Sequence, residues 1–405
     1  MKILLFIALL IGLCYSNSIN SCVNISQSGS YVLSSDLFGA PNAIQTETFT
    51  FSKQPYCLKI ESSNVDLDCL NHSIFSTDPL DFFAIIVTGN ESFNLNNITI
   101  RNCRTSGYLS SVFLKSNNNI TIHNLVSDKP YYGVYVYRTN FVTISNSVFF
   151  NATKYGIFAV KNSSNLYLEN DSVLWGPKPV IDDGNSLNFF DSGYYFNGEN
   201  ISLSNVSAIN TTGNGFLFEN VSNLRIVSSL AQGNSGHGFW IWGSKNVSFD
   251  NDVSSLDDIG FVIDNSNSVN LTSTESSNNT QGIYFSYSNN LSVSNIISNS
   301  NRICGFCFFT GSNVSVNSII SCNNHHSQLQ DLNPSSDILF KFSSSYDLSN
   351  TTCNNSYPNG LCDNPCPILS EPDSQSIKTN PNSGNCLSML LFLPLFSFVY
   401  FHNRS

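Results

Sequence analysis

Three groups of residues in this 405-residue chain have types and spacing that could do chemistry. Gly236, His237 and Gly238 are followed by Phe239, Trp240 and Trp242 and closed by Asp250 and Asp252, with Asp257 and Asp258 just beyond. A histidine among carboxylates can move protons. Asp182, Asp183, Asn185 and Asp191 fall in or beside one stretch, WGPKPVIDDGNSLNFFD, and offer oxygen ligands to calcium. Cys304 and Cys307, together with Cys322 and His325 or His326, have zinc-like spacing. Whether any of these is a site depends on the elements that hold it.

Those elements repeat. Glycines that precede an apolar run stand at Gly193, Gly215, Gly238, Gly260, Gly282 and Gly305, with successive spacings of 22, 23, 22, 22 and 23, and Gly133 and Gly156 form another pair 23 apart. A second short strand follows each at fixed phase, entered by Asn97, Asn119, Asn165, Asn200, Asn223, Asn246, Asn290 and Asn313, with Phe141 and Ser268 in the same slot and Asn64 extending the series. No segment holds a helical period over ten residues, so the repeat is built of strands. One rung cannot bury its own apolar face, and each must lie on the next at about 4.8 Å. The expectation is all-β: a right-handed parallel β-helix solenoid with 22–23-residue coils, about eleven rungs making a rod of roughly 50 Å. Asparagines at one phase are expected to stack, so that Asn200, Asn223, Asn246, Asn290 and Asn313 should be buried and unmodified.

On this repeat the three groups read structurally. His237 occupies the slot before a rung glycine, which elsewhere holds Tyr132, Tyr155, Ser192, Asn214, Ile259, Gln281 and Cys304. The acids at 182–191 belong to an insertion, since Gly156 and Gly193 are 37 apart, and no fixed ligand spacing marks them. Cys304 and Cys307 flank a rung glycine in extended chain, where residues three apart should face opposite ways. Disulfides are expected there instead of zinc. Of the glycosylation sequons, Asn24, Asn71, Asn90, Asn151, Asn162, Asn170, Asn205, Asn210, Asn220, Asn278, Asn350 and Asn354 fall in turns, cap or stalk and are candidate acceptors.

Residues 57–324, with the entry stretch CLKIESSNVDLDCLNHSI, resemble secreted right-handed parallel β-helix repeat proteins of the pectate-lyase-like superfamily, especially NosD-type repeats and β-helix proteins exported by archaea. The resemblance implies the fold and leaves activity open, because lyases, hydrolases and epimerases share it. The polygalacturonase branch carries Asn-Thr-Asp, Asp-Asp, Gly-His-Gly and Arg-Ile-Lys in that order. Here Asn-Thr-Asp is missing, Asp257-Asp258 follows the histidine, and Arg225-Ile226 precedes it and is followed by Val227. The acids of paired-carboxylate hydrolysis are therefore not in place. Few cations in the middle coils disfavour a lyase base, and two methionines with scattered histidines disfavour a NosD-like metal role.

Composition sets the compartment. A net charge of −11 with 11% charged residues excludes nucleic acid as a partner, because phosphate neutralisation needs clustered cations. The opening MKILLFIALLIGLCYSNS reads as a secretory signal peptide over 1–18. A cap at 19–56 and the β-helix at 57–340 follow, then a Cys/Ser/Pro-rich stalk at 341–386 and a hydrophobic membrane anchor, spanning or lipid-exchanged, at 387–401. Leaving out Cys14 and Cys386, ten of the twelve cysteines remain, clustered at the two ends of the repeat. That even number fits disulfides in an exported protein.

One surface has the composition of a binding site. Residues one and three after each rung glycine are nearly all apolar and should point inward, so the residue between them points out. That slot holds Tyr135, Phe158, Tyr195, Leu217, Trp240, Val262, Tyr284 and Cys307, an apolar stripe of a kind rarely left in water. Either the insertion around Trp175 or the C-terminal tail covers it, or a sugar chain stacks on it. The expected ligand-binding residues are Tyr135, Phe158, Tyr195, Trp240 and Tyr284, with no cofactor and no metal. The function expected is a glycosylated, C-terminally anchored cell-surface protein that binds a polysaccharide or cell-surface glycan. The alternative is a polysaccharide lyase or hydrolase with its site beside the 169–192 insertion.

Overall fold

The computed structural model describes residues 16–44, 54–78, 81–89, 94–175, 191–324, 336–343, 346–357 and 359–366. Every regular element among them is a β-strand. The chain winds as a parallel β-solenoid of about eleven turns with coils of about 23 residues. Each turn contributes a strand to each of three ladders. In the turn that holds His237 these are Phe239–Trp242, Lys245–Asp250 and Val253–Ser255. Each pairs in parallel with the equivalent strand of the next turn: Trp240 with Val262, Ser248 with Asn270, Ser254 with Ser276. The ladders continue across the 37-residue interval, with Phe158 paired to Tyr195 and Val173 to Ala208, and the register shifts once, between Ala159 and Ser163.

Parallel pairing runs past both ends of the 57–340 segment. Asn17–Ile19 pairs with residues of Gly29–Leu33, and Asn24–Ile25 with the strand Gln54–Ile60. At the other end Tyr346–Thr352 lies on Cys304–Ile320, and Ser356–Tyr357 on Ser336–Ser343. Asn42–Ile44 is antiparallel to its partner. Residues 1–15 and 367–405 lie outside the described residues, and with them most of the signal segment, much of the stalk and the 387–401 anchor.

Asparagine makes the corners. Four residues per turn adopt a left-handed conformation, as at Asn200, Asn205, Asn210 and Asn220, then Asn223, Ser228, Gly233 and Gly243, then Asn246, Asn251, Leu256 and Asn265, with φ between 49° and 67°. Asn enters this region at less cost than other side-chain-bearing residues. Backbone bonding continues around the bends: the Asn220 N–H donates to Trp242 O at 2.8 Å and Ser228 N–H to Asp250 O at 2.9 Å. The asparagines entering the second strand do stack, with Asn223 Nδ2 donating to Asn200 Oδ1 at 2.9 Å and Asn246 Nδ2 to Asn223 Oδ1 at 3.1 Å. The expected burial does not hold. Asn223, Asn246, Asn290 and Asn313 are exposed and Asn200 half-buried, because a left-handed corner turns its side chain outward.

The buried ladder lies at another phase. Thr211 N–H donates to Asn234 Oδ1 (3.0 Å), Asn234 N–H to Asp257 Oδ1 (2.7 Å), and Asp257 N–H to Asn279 Oδ1 (2.9 Å). Asn279 N–H donates to Asn301 Oδ1 and Asn301 N–H to Asn324 Oδ1, both at 2.9 Å. Each inner side chain thus satisfies a backbone N–H that faces the apolar core one turn earlier. Around this column the core is apolar, with Tyr194, Phe216, Phe239 and Phe261 stacked ring on ring at 4.7, 4.6 and 4.7 Å. Disulfides fasten the ends: Cys22–Cys57 and Cys69–Cys103 at one, Cys304–Cys307, Cys322–Cys366 and Cys353–Cys362 at the other.

Candidate functional site

The rung glycines create the outer face of the first ladder. At Gly215 and Phe216 two successive N–H groups donate to the same neighbouring turn, to His237 O and Gly238 O at 2.8 and 2.9 Å. This breaks the strict alternation of a strand. The residue before each glycine and the residue two after it therefore share the outer face. Cys304 and Cys307 show it directly, since they form a disulfide with Cα atoms 6.1 Å apart, so the expectation that they face opposite ways fails. Glycine is required for space: a Cβ on Gly238 would lie 2.3 Å from Ser254 Oγ, and 2.6 Å from both Asp257 Oδ2 and Gly260 O.

The outer face is consequently two columns wide. In the column two after the glycine, Ile86, Phe113, Tyr135, Phe158, Tyr195, Leu217, Trp240, Val262, Tyr284, Cys307 and Leu339 follow one another in register. Beside it stand Tyr132, Tyr155 and His237, which sequence reasoning treated as tolerant turn positions. Their aromatic character at the phase preceding the glycine was the available signal.

The stripe divides into a buried and an accessible part. At its N-terminal end Tyr56, Phe82, Phe83, Ile86, Phe113, Tyr135 and Tyr137 form a second apolar cluster outside the coil, with Ile44 packed against it. Tyr135 is only 7% exposed, and burial beside Tyr137 pushes its hydroxyl up to about 12. Tyr135, one of the expected ligand-binding residues, thus packs within this cluster. Phe158, Tyr195, Trp240 and Tyr284 are half-buried, interleaved with buried Leu217 and Val262. Phe158 packs at 4.6 Å on Tyr155 and 4.9 Å on Tyr195, whose hydroxyl donates to Glu219. Lys154 Nζ lies over the Tyr131 and Tyr155 rings at 5.7 and 5.6 Å. Tyr284 sits 5.2 Å from the Phe309 ring. Trp175 is part of the interior core and does not lie over the stripe.

At the middle of the stripe stands the Gly-His-Gly segment. His237 meets Trp240 edge to face at 5.3 Å, and its Nδ1 is 3.9 Å from Asp258 Oδ2. Burial holds the imidazole below the usual histidine range, partly opposed by Asp258. His237 Nδ1 and Trp240 Nε1 are both shielded from solvent without a hydrogen-bond partner. The other neighbouring acids do not converge on them. Asp257 faces inward in the buried ladder, accepting from Asn234 and Ser254, and Asp252 faces inward to accept from Ser229 and Asp250. Burial pushes each of these carboxyls up to about 7.

Asp182, Asp183, Asn185, His325, His326 and Asn90 lie outside the described residues. Asp191 is half-buried, its carboxyl raised by burial and lowered by Lys154. Among the described residues no group of three or more His, Cys, Asp or Glu side chains is placed to hold a metal ion. The remaining sequon asparagines of turns, cap and stalk, from Asn24 to Asn354, are all exposed.

Residues 14–173 match the family model for the right handed beta helix region. The fold is a right-handed parallel β-helix. A search of curated proteins finds no match. Among solved structures, a tailspike protein mutant of E. coli bacteriophage HK620 in complex with a pentasaccharide is 12% identical, with 86% of this chain and 71% of that one covered at a TM-score of 0.50. The A-module of mannuronan C-5 epimerase AlgE4 from Azotobacter vinelandii is 13% identical (72% and 87% covered, TM-score 0.40). PfbA, a surface adhesin of Streptococcus pneumoniae, is 12% identical (73% and 78%, TM-score 0.35). At these identities the likeness is one of fold.

Proposed function

We propose that this protein is an exported, non-catalytic surface protein whose first-ladder outer face binds an extended, uncharged polysaccharide. The observation that carries the reading is the in-register stripe with Phe158, Tyr195, Trp240 and Tyr284 half-exposed along it. Aromatic faces suit the C–H faces of sugar rings, and turns about 4.8 Å apart repeat them along a line that fits a chain polymer. Half-buried Glu219, Asp258 and Asp191 border the stripe and disfavour an anionic ligand. The tailspike of similar fold is in complex with a pentasaccharide, which supports the capacity of such a fold for one.

Disulfides joining all ten cysteines between Cys22 and Cys366 support an oxidising compartment. The apolar run at 387–401 is proposed as the membrane attachment, and a chain ending at Asn380 should leave the cell freely.

The test is a neutral-glycan array with the chain ending at Asn380, followed by titration of the best ligand. Trp240→Ala with Tyr284→Ala should weaken binding at least tenfold while the thermal transition is retained. Unchanged binding, or no binding to any neutral polysaccharide, rejects the reading. New reducing or unsaturated ends released from the bound glycan would favour the lyase or hydrolase alternative.

A further inference from the structure

The sequons sort by side of the wall. The buried asparagines of the inner ladder, Asn234, Asn279, Asn301 and Asn324, begin no sequon, being followed by Ser-Gly, Thr-Gln, Arg-Ile and His-His. Asn97, Asn119, Asn200, Asn246, Asn290 and Asn313 each begin one, and all stand at one outer corner in the left-handed conformation. The residue after each, such as Val247 or Leu291, is buried, and the hydroxyl residue after that, such as Ser248 or Ser292, returns to the outside. Amide and hydroxyl of the sequon thus lie on one accessible surface.

We propose that these six outer-ladder asparagines are acceptors for N-linked glycans, forming a sugar-bearing edge along the rod. The donor is an oligosaccharide carried on a polyprenyl phosphate. Nδ2 bonds to the anomeric carbon, the bond from that carbon to the phosphate oxygen breaks, and one amide proton leaves with the phosphate. The stack survives this chemistry. Asn246 uses one Nδ2 hydrogen to reach Asn223 Oδ1 at 3.1 Å, and Asn290 one to reach Asn267 Oδ1 at 2.8 Å. A primary amide carries two hydrogens, so replacing one leaves the ladder donor in place. The accessible part of the aromatic stripe, from Phe158 to Tyr284, carries no sequon of its own, so this coat would leave it bare.

The full chain, secreted from a host with N-glycosylation, is digested with a glycoamidase in heavy-oxygen water and its peptides are mapped by mass spectrometry. Asn246 and Asn290 are expected as labelled aspartate, and Ser248→Ala should abolish the label at Asn246 alone. Unlabelled Asn246 and Asn290 beside labelled Asn205 and Asn278 would overturn the proposal, as would a chain with no labelled sequon from a host that glycosylates a control protein. Trp240→Ala should leave the occupancy unchanged, which separates this modification from ligand binding at the aromatic face.

Discussion

Asp257 interrupts a column of inner amides, and its protonation state follows from that place. It is 5% exposed and accepts from the N–H and Nδ2 of Asn234 and from Ser254 Oγ. No cation is among these partners, so desolvation outweighs the hydrogen bonds and the carboxyl rises to about 7. With an ordinary value of 3.8 in the unfolded chain, the folded state holds the extra proton between about pH 4 and pH 7. Its contribution to stability is therefore fully present below pH 4 and lost as pH rises through 7. Asp171 and Asp252, both fully buried and also raised to about 7, act in the same direction, whereas His237, held below its usual range, acts in the opposite one. Asparagine fits the site without rearrangement, since Asn279 Nδ2 donates to Ser276 Oγ at 3.0 Å where Asp257 Oδ2 accepts from Ser254. Asp257→Asn should raise stability at pH 8 by on the order of 1–3 kcal/mol and change little at pH 4. Urea denaturation at the two pH values measures it, and an equal effect at both would mean that the charge is not the cause.

At the scale of the turn, asparagine does two jobs, and only one of them was legible in the sequence. The glycine spacing and the apolar pairs after each glycine were enough to place the strands, their register and the inward Phe216, Phe239 and Phe261, because period-two burial leaves a strong one-dimensional trace. The asparagine phase at Asn223 and Asn246 was visible too, but sequence cannot say whether a repeated amide is a corner or a core group. Left-handed backbone decides that, and it is a three-dimensional property. The inner column at 211, 234, 257, 279, 301 and 324 repeats as regularly, yet Thr, Asn and Asp alternate in it and hide the pattern. Likewise the glycine bulge, which brings His237 beside Trp240, violates the alternation on which the reading of single columns rested. The two jobs predict opposite tolerances. Asn246→Gly keeps the left-handed corner and loses one surface hydrogen bond, at a cost of about 1 kcal/mol or less. Asn279→Ala strands the buried N–H of Asp257 and should cost about 1–3 kcal/mol. Equal losses in paired denaturation curves would contradict the division of roles.

For the molecule as a whole, stability is close to one-dimensional, since each turn contacts its neighbours and the terminal turns have a partner on one side only. The disulfides sit where that geometry is weakest. Cys22–Cys57 and Cys69–Cys103 tie together the first turns, closing loops of 35 and 34 residues, and Cys322–Cys366 closes 44 residues at the far end. Such cross-links stabilise by typically about 2–4 kcal/mol each, mainly by restricting the unfolded chain. Between Cys103 and Cys304 there is no cysteine, and that span depends on aromatic stacking and the inner amide column. Reduction should therefore act from the ends inward. In hydrogen exchange with mass detection, reduced protein should lose protection first in residues 17–103 and 304–366, while the strands around Phe216, Phe239 and Phe261 stay protected near the level of the oxidised chain. The glycan binding proposed for Trp240 and Tyr284 should survive the same treatment, because the turns that carry them lie inside the cross-linked ends. Uniform loss of protection along the chain would show instead that the rod unfolds as one cooperative unit whose terminal cross-links set the stability of every turn.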